Sequence, residues 1–488
     1  MSTKSSGITL LGLGPGDPAQ ITREAWELIS SSSEIYLRTN QHPMLSALPD
    51  NLTLHSFDQL YDSEDDVEKV YASIVDQILE LGRRPEGVIY AVPGHPFVAE
   101  STTPEIARRA NEEALPVRIV QGLSFIEPTL AALGIDLLPQ STVTDALELL
   151  SQHHPLFPPS SPALIAQIHS KAVASEVKLT LMSSYPDEHP VQLVHAAGTM
   201  NENVENLPLY EIDRSEHISA LTSLYLPPLP ERTSFEEFQN LIAHLRSPEG
   251  CPWDREQTHQ SLRRNLVEES YEVLEALDSG DESAMQEEFG DLLVQIVLHA
   301  QIAAEAGEFR MADVIEGIHT KLVNRHPHVF GDTQLDDAQD VINNWEHLKS
   351  EERRSKGQAE KGMLDSVAQA LPALAQAEAY GTRAARAGFD WPDISGVMDK
   401  LDEEIEELRS AENAEDRNTE FGDLLFALVN LARWLDVDPE TALRGTNARF
   451  KQRFAHIEGT ARKQGRKLKE MELAEMEALW EEGKNAAS

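Results

Sequence analysis

The sequence predicts a multidomain protein: an α/β domain over residues 1–230, then two all-α helical units over 231–360 and 361–488. Three observations carry this. Up to about residue 226, short β-branched runs alternate with glycine-rich turns and helical stretches. Leu226-Pro227-Pro228-Leu229-Pro230 then reads as an extended break. Beyond it, an acidic helical hairpin occurs twice.

The α/β half opens with a buried strand at 8–13, ITLLGL, followed by the turn Gly14-Pro15-Gly16-Asp17-Pro18 and a helix capped by Thr22. A glycine-rich turn after a strand brings backbone against a ligand at the strand's carboxyl end. The spacing Gly12-x-Gly14-x-Gly16 is not the dinucleotide fingerprint, so NAD is disfavoured. Gly87–Val92 is a second strand, opening into Pro93-Gly94-His95-Pro96 and a helix near Pro104–Ala114. Val117–Val120 is a third, ending in Gln121-Gly122-Leu123-Ser124-Phe125 before a helix at Glu127–Leu133. Three small-residue loops of this kind predict a cleft for a small molecule. Leu164–Gln167, Leu179–Met182, Val191–Ala196 and Leu207–Ile212 are expected to supply further strands.

In the helical half, Ser234–Arg246 is amphipathic, and Trp253 in Cys251-Pro252-Trp253 reads equally as a base-stacking residue or a packing anchor. The first acidic hairpin spans Leu266–Gln301, with a polar turn at Asp278–Asp281. Glu268 and Glu272 share a helix face with Glu269 at its edge, and Glu287, Glu288 and Asp291 come from the second run. Paired antiparallel, the two runs bring these acids to one end of an apolar core. So many carboxylates need a counter-charge, and oxygen-only ligands select a hard cation, Mg²⁺ or Mn²⁺.

One such hairpin could equally be a solvated helix face. Residues 401–435 repeat it, with Glu403, Glu404 and Glu407, then Glu420 and Asp423, in the same Glu-Phe-Gly-Asp-Leu-Leu string. A solvated face has no reason to recur with that string, which turns the reading toward a metal site. Lys321 and Arg325 stand at i and i+4, a spacing suited to phosphate, and Asn447, Arg449 and Arg453 offer the same in the second unit. His326 and His328, around Pro327, read as capping and turn residues. Ser350–Lys361 is a charged linker. Pro372 starts a new helix, and Trp480 in the last one reads as base-stacking or dimer-packing.

The formal charge of −42 excludes a nucleic-acid backbone as partner. A single cysteine, Cys251, suits a reducing compartment, and no stretch nears the roughly 20 apolar residues of a membrane helix. With no signal-peptide pattern at its start, the chain is expected to be cytoplasmic. Each helical unit is small for a bundle that buries two faces, so pairing is expected, either of the two repeats or of two chains as a homodimer through these units.

Two resemblances follow from these residues. Gly-Leu-Gly-Pro-Gly-Asp-Pro, Pro-Gly-His-Pro and Gln-Gly-Leu-Ser-Phe look like the tetrapyrrole (corrin/porphyrin) methylase family over about residues 7–226. This implies an S-adenosylmethionine site lined by Gly12, Gly14, Pro15, Gly16, Gly94, His95, Gly122, Ser124 and Phe125. His95 departs from the aspartate common there. CPWDREQT, the EExxE hairpin, EEFGDLL and NRHPHVFGD resemble the first repeat of the MazG family. GFDW, DEEIEEL, EFGDLLFALVNLARWL, NARFKQRF and EMEALWEE resemble its second. The whole therefore resembles a known bacterial fusion: an α/β tetrapyrrole-methylase-like domain followed by two all-α MazG-like units.

The MazG resemblance implies a Mg²⁺-dependent pyrophosphohydrolase that converts nucleoside triphosphate to monophosphate and pyrophosphate, a nucleotide-pool housecleaning role. It places metal ligands at Glu269, Glu272, Glu288 and Asp291, and at Glu404, Glu407, Glu420 and Asp423. Phosphate binding falls on Arg449 and Arg453, with Lys321 and Arg325 as candidates in the first unit, and Trp480 takes the ring-bearing tail position. Arg449 stands where lysine is common, and Thr419 replaces one acid. Glu268 and Glu403 are candidates for orienting water, and Trp253 for the base. The alternative makes methyl transfer the activity and the helical units nucleotide-sensing or assembly modules.

Overall fold

The computed structural model describes residues 7–63, 66–230, 232–335, 337, 340–341, 344–345, 348 and 362–486; the charged linker expected at 350–361 lies outside these residues. The chain divides into two compact units, Met1–Val314 and Ile315–Ser488.

The first unit begins with two five-stranded sheets. In the first, β1 (Ile8–Gly12), β2 (Glu34–Leu37), β3 (Thr53–Ser56), β4 (Val88–Val92) and β5 (Val117–Val120) run parallel in the order β3-β2-β4-β1-β5. Alternation along β1 explains why both faces are covered. Ile8 and Leu10 pack with Val70, Ile74 and Ile78 of α2 (Val67–Gly82) and Ile106 of α3 (Thr102–Glu112). Leu11 faces the other way, toward Ala25 and Ile29 of α1 (Arg23–Ser31), where Thr22 caps the helix. After β5 the chain enters α4 (Ile126–Leu133).

The second sheet, β6-β7-β10-β8-β9, is mixed: β6 (Thr142–Asp145) pairs parallel with β7 (Ala163–Ala166), and β8 (Pro190–His195), β9 (Asn203–Pro208) and β10 (Thr222–Leu226) join antiparallel. One expected strand is corrected. Leu179–Met182 is the last turn of a helix, α5 (Lys171–Met182), whose Val173, Val177 and Leu181 recur every fourth residue into the core. A short apolar run cannot by itself distinguish a strand from a buried helix end. The strand expected at Leu207–Ile212 is likewise displaced: it runs Asn203–Pro208, and Leu209–Arg214 is a 3₁₀ turn.

Past the proline-rich break come α6 (Phe235–Arg246), α7 (Arg263–Ser279), α8 (Glu282–Ala306) and α9 (Met311–Arg325). The α7–α8 hairpin turns at Gly280, whose φ of +68° ends α7, and at Asp281, which caps α8 by accepting from the Ser283 and Ala284 N–H groups.

The second unit holds α10 (Ala373–Arg386), α11 (Ile394–Ser410), α12 (Ala414–Trp434), α13 (Pro439–Lys463) and α14 (Leu473–Ala486). α11 and α12 form a hairpin, α10 lies on α12 and α13, and α13 pairs with α14. A Cβ on Gly381 would lie 2.8 Å from Asn430 Oδ1, so glycine there lets α10 approach α12. Asp390 holds Arg433 through two bonds of 2.7 and 2.8 Å, bracing the turn before α11. Among the described residues no helix is long and apolar enough to cross a membrane.

Candidate functional site

Three carboxylates meet on the α7–α8 hairpin, Glu269, Glu272 and Glu288, and three on the α11–α12 hairpin, Glu404, Glu407 and Glu420. In each group one oxygen from every residue lies within 4.8 Å of the others. The cause is local: EExxE at helical pitch puts two acids on one face, and the antiparallel return brings a third from the facing helix.

Crowding shifts their ionisation. Partial burial, the hydrogen bond to Glu272 and the charges of Asp291, Glu272 and Glu288 push the Glu269 carboxyl above its ordinary range. Burial and neighbouring acids, Glu272 first, do the same to Glu288. Burial with Glu407, Asp423 and Glu404 raises Glu420. Asp291 and Asp423 thus act on the two groups through their charge. In the second group Glu404 is only 4% exposed, and its Oε2 has no hydrogen-bond partner. Its Oε1 takes a 2.8 Å ion pair from Lys400, which also donates to Glu403 Oε1 at 2.8 Å. An oxygen-only donor set with an orphaned buried lone pair fits a hard divalent cation.

The basic residues sit on other helices. On α13 the Arg453 guanidinium lies over the Trp480 ring of α14, 5.5 Å from its centre, with Phe450 against the same ring at 5.1 Å. Arg449 donates to Thr446 Oγ1 at 2.8 Å. The motif recurs at the end of α9, where Arg325 lies 5.9 Å from the centre of the Trp345 ring. Asn447, Glu268 and Lys321 are exposed. Trp253 is 58% exposed, its carbonyl accepting from Gln257, and stands apart from the core of its unit.

Sequence reasoning missed Lys400 and Trp345. A signal existed for the tryptophan, since Trp345-Glu346 echoes Trp480-Glu481. Lys400 carries no signal of its own, being one of many lysines near acids.

In the α/β half, a cavity of about 280 Å³ opens between the two sheets. Gly14, Pro15, Gly94 and Phe125 line it, joined by Arg38, His42, Gln167, His169 and Thr222, none of which the loop motifs singled out. Gly12, Gly16, His95, Gly122 and Ser124 are not part of that lining. For Gly12 and Gly122 the reason is backbone contact. A Cβ on Gly12 would meet Gly122 N at 2.5 Å and Gly94 O at 2.6 Å. Gly14 and Gly94, both at positive φ, exchange two backbone hydrogen bonds that tie the first two loops. His95 folds onto its own loop, its Nδ1 accepting from the Phe97 N–H at 3.0 Å.

Arg38 is anchored by Glu100, Tyr61 and Tyr71. Burial opposes its charge most strongly, but the Glu100 carboxylate together with the Tyr61 and Tyr71 hydroxyls holds the guanidinium above its ordinary range. His42 Nε2 donates to Gly14 O at 3.1 Å, while burial holds its pKa below the ordinary imidazole value. His195, just behind the cavity wall, is bonded to Thr222 Oγ1 at 3.1 Å and Glu205 at 3.0 Å.

This combination defines a methylase-like α/β domain carrying MazG-type acidic hairpins. The family model for tetrapyrrole (corrin/porphyrin) methylases matches residues 7–213, and that for the MazG nucleotide pyrophosphohydrolase domain matches 257–330. The uncharacterized protein YabN of Bacillus subtilis is 43% identical over 98% of this chain and 98% of its own, and the chain belongs to that family of fusions. The helical half is also similar to nucleoside triphosphate pyrophosphohydrolases. The Thermotoga maritima MazG is 44% identical over 51% of this chain and 95% of its own. The Escherichia coli enzyme is 40% identical over 50% and 94%.

Proposed function

We propose that the helical half is a divalent-cation-dependent nucleoside triphosphate pyrophosphohydrolase. The observation that carries this is the recurrence, in one chain, of a three-carboxylate group on a helical hairpin and of an arginine laid over a tryptophan. The relatives named for this activity match the same half.

Glu269, Glu272 and Glu288 with Asp291, and Glu404, Glu407 and Glu420 with Asp423, would hold Mg²⁺ or Mn²⁺. A cation held by these residues would supply positive charge to neutralise the substrate's phosphates. Water adds to the α-phosphorus, the bond from that phosphorus to the bridging oxygen breaks, and pyrophosphate leaves with the electron pair. Arg449 and Arg453 would counter the charge that develops on the leaving oxygens, the role the sequence offers Lys321 and Arg325 in the first helical repeat. Glu268 and Glu403 accept the proton of the attacking water. Trp480 and Trp345 offer ring faces to the base.

The test is product analysis of the purified chain with each NTP and dNTP, with and without Mg²⁺. Monophosphate plus pyrophosphate, lost with EDTA, supports the reading. Diphosphate plus phosphate, or no turnover, overturns it; bound nucleotide without turnover would favour the sensing role.

For the α/β half we infer S-adenosylmethionine binding in the cavity between the sheets, supported by the glycine loops that shape it and by the family match. Equilibrium dialysis of labelled S-adenosylmethionine against the full chain tests this, and absence of retention sinks it.

We also infer a homodimer through the helical half. Phe289, Leu293 and Ile296 form an apolar stripe on α8, exposed by 51%, 38% and 45%. Phe421, Leu425 and Leu428 repeat it on α12, and a Cβ on Gly290 or Gly422 would meet nothing within 4 Å. The packing within each unit therefore explains neither stripe nor glycine, whereas a second copy would. A monomer mass by light scattering would reject this.

A further inference from the structure

The two acidic groups differ in the side chain that stands one helical turn before them. In the second unit Lys400 reaches Glu404 Oε1 and Glu403 Oε1, both at 2.8 Å. At the matching place in the first unit stands Asn265, four residues before Glu269 as Lys400 is four before Glu404. Among the described residues, Glu269, Glu272 and Glu288 receive no hydrogen bond or ion pair from any lysine or arginine. The second group therefore carries its own cation and the first does not.

The surroundings sharpen this difference. Glu404 is 4% exposed, and its second oxygen is buried without a hydrogen-bond partner within the group formed with Glu407 and Glu420. A buried carboxylate that lacks full compensation demands positive charge. The ammonium of Lys400 supplies part of it on a side chain about one third exposed, so it is free to swing toward water. An incoming divalent cation at Glu404 must displace the ammonium or accept its repulsion. At Glu269 it meets only mutually repelling acids, which it relieves.

We propose that Lys400 acts as a resident counter-ion that makes the second unit the weaker divalent-cation site, so that the first unit fills at lower cation concentration. This rests on the metal reading above and adds an order of loading. The chain then has two working ranges of cation, set by one lysine. Lys400 is a positioning and competing residue; it need not touch substrate.

The test uses the full chain with Mn²⁺ as probe, following free Mn²⁺ by its electron paramagnetic resonance signal, which needs no nucleotide and no turnover. The wild type is expected to show two classes of site differing by about tenfold, the ratio that ~1.4 kcal/mol produces. Lys400→Met should tighten the weaker class toward the stronger, whereas Lys400→Arg, which keeps the charge, should leave two classes. Glu269→Gln with Glu272→Gln should remove the tighter class and spare the weaker. The idea is overturned if Lys400→Met leaves both affinities unchanged, or if the glutamine pair removes the weaker class. Wild-type protein that binds no Mn²⁺ would remove the metal reading itself; two equal sites, unmoved by Lys400→Met, would remove only the loading order. Melting curves and circular dichroism of each variant guard against misfolding.

Discussion

The guanidinium carbon of Arg453 stands 5.5 Å from the centre of the Trp480 ring. A cation over an indole face presents, side by side, a charge for phosphate and an apolar plane for a base. Arg325 and Trp345 repeat the pairing at 5.9 Å, although 27 residues separate the first pair and 20 the second. The relationship is held in both repeats despite different intervening chain.

Removing the ring should therefore read out as lost substrate affinity. With the first unit disabled by Asp291→Ala, Trp480→Ala is expected to raise KM by roughly tenfold, since stacking on an aromatic is worth ~1–3 kcal/mol per base. Arg453→Ala should instead lower kcat/KM by about 10²- to 10³-fold, with little recovery in Arg453→Lys. Steady-state kinetics with one NTP decides; unchanged KM in the tryptophan variant would show that the ring only packs.

Asp291→Ala and Asp423→Ala are each expected to abolish cation binding at their own unit, and the double variant to lose turnover by roughly a thousandfold, several kcal/mol of charge stabilisation. Isothermal calorimetry with Mn²⁺ and an NTP assay check both halves of the statement. Turnover retained in the double variant would sink the mechanism.

Glycine at position 12 is required by contact between loops. Gly12→Ala would drive a Cβ to within 2.5 Å of the Gly122 nitrogen, and both neighbours are backbone that cannot swing aside. A loss of roughly 2–4 kcal/mol from the α/β half is expected. Gly134→Ala adds a Cβ with nothing within 4 Å and pays only for its φ of +67°, about 1 kcal/mol. Urea unfolding followed by tryptophan fluorescence ranks the two; equal losses would refute the contact argument.

Acid should weaken the α/β half through two imidazoles. Burial holds both His42 and His195 below their ordinary pKa, with the Glu205 bond only partly opposing it at His195. The unfolded chain then binds more protons than the folded one as pH falls from about 6.5, the free imidazole value. The stability these groups allow is present above that pH and is lost below it, down toward the folded values. The first melting transition should fall between pH 7.5 and 5.5, and His42→Asn should flatten that fall. An unchanged slope in the variant would reject the assignment.

Much of this was legible along the chain. The doubled EExxE and EFGDLL strings fixed two acidic hairpins, because helical pitch alone decides which acids share a face. The loops after β1, β4 and β5 announced a cleft, because glycine at strand ends is a local conformational demand. Leu179–Met182 misled, because four apolar residues suit a strand or the inner face of α5 equally, and only packing on the second sheet chooses.

The sequence by itself thus determined the order of domains, the acids available to a cation and the strongly negative net charge, since each is a property of spacing or composition. The tertiary structure alone decided which residues meet. It brought Arg38, His42 and Thr222 to one cavity from distant elements, laid Arg325 over Trp345, and buried Glu404 beside Lys400. Those contacts depend on how helices and strands pack over long range, where burial sets the strength of a charge and no local pattern records it.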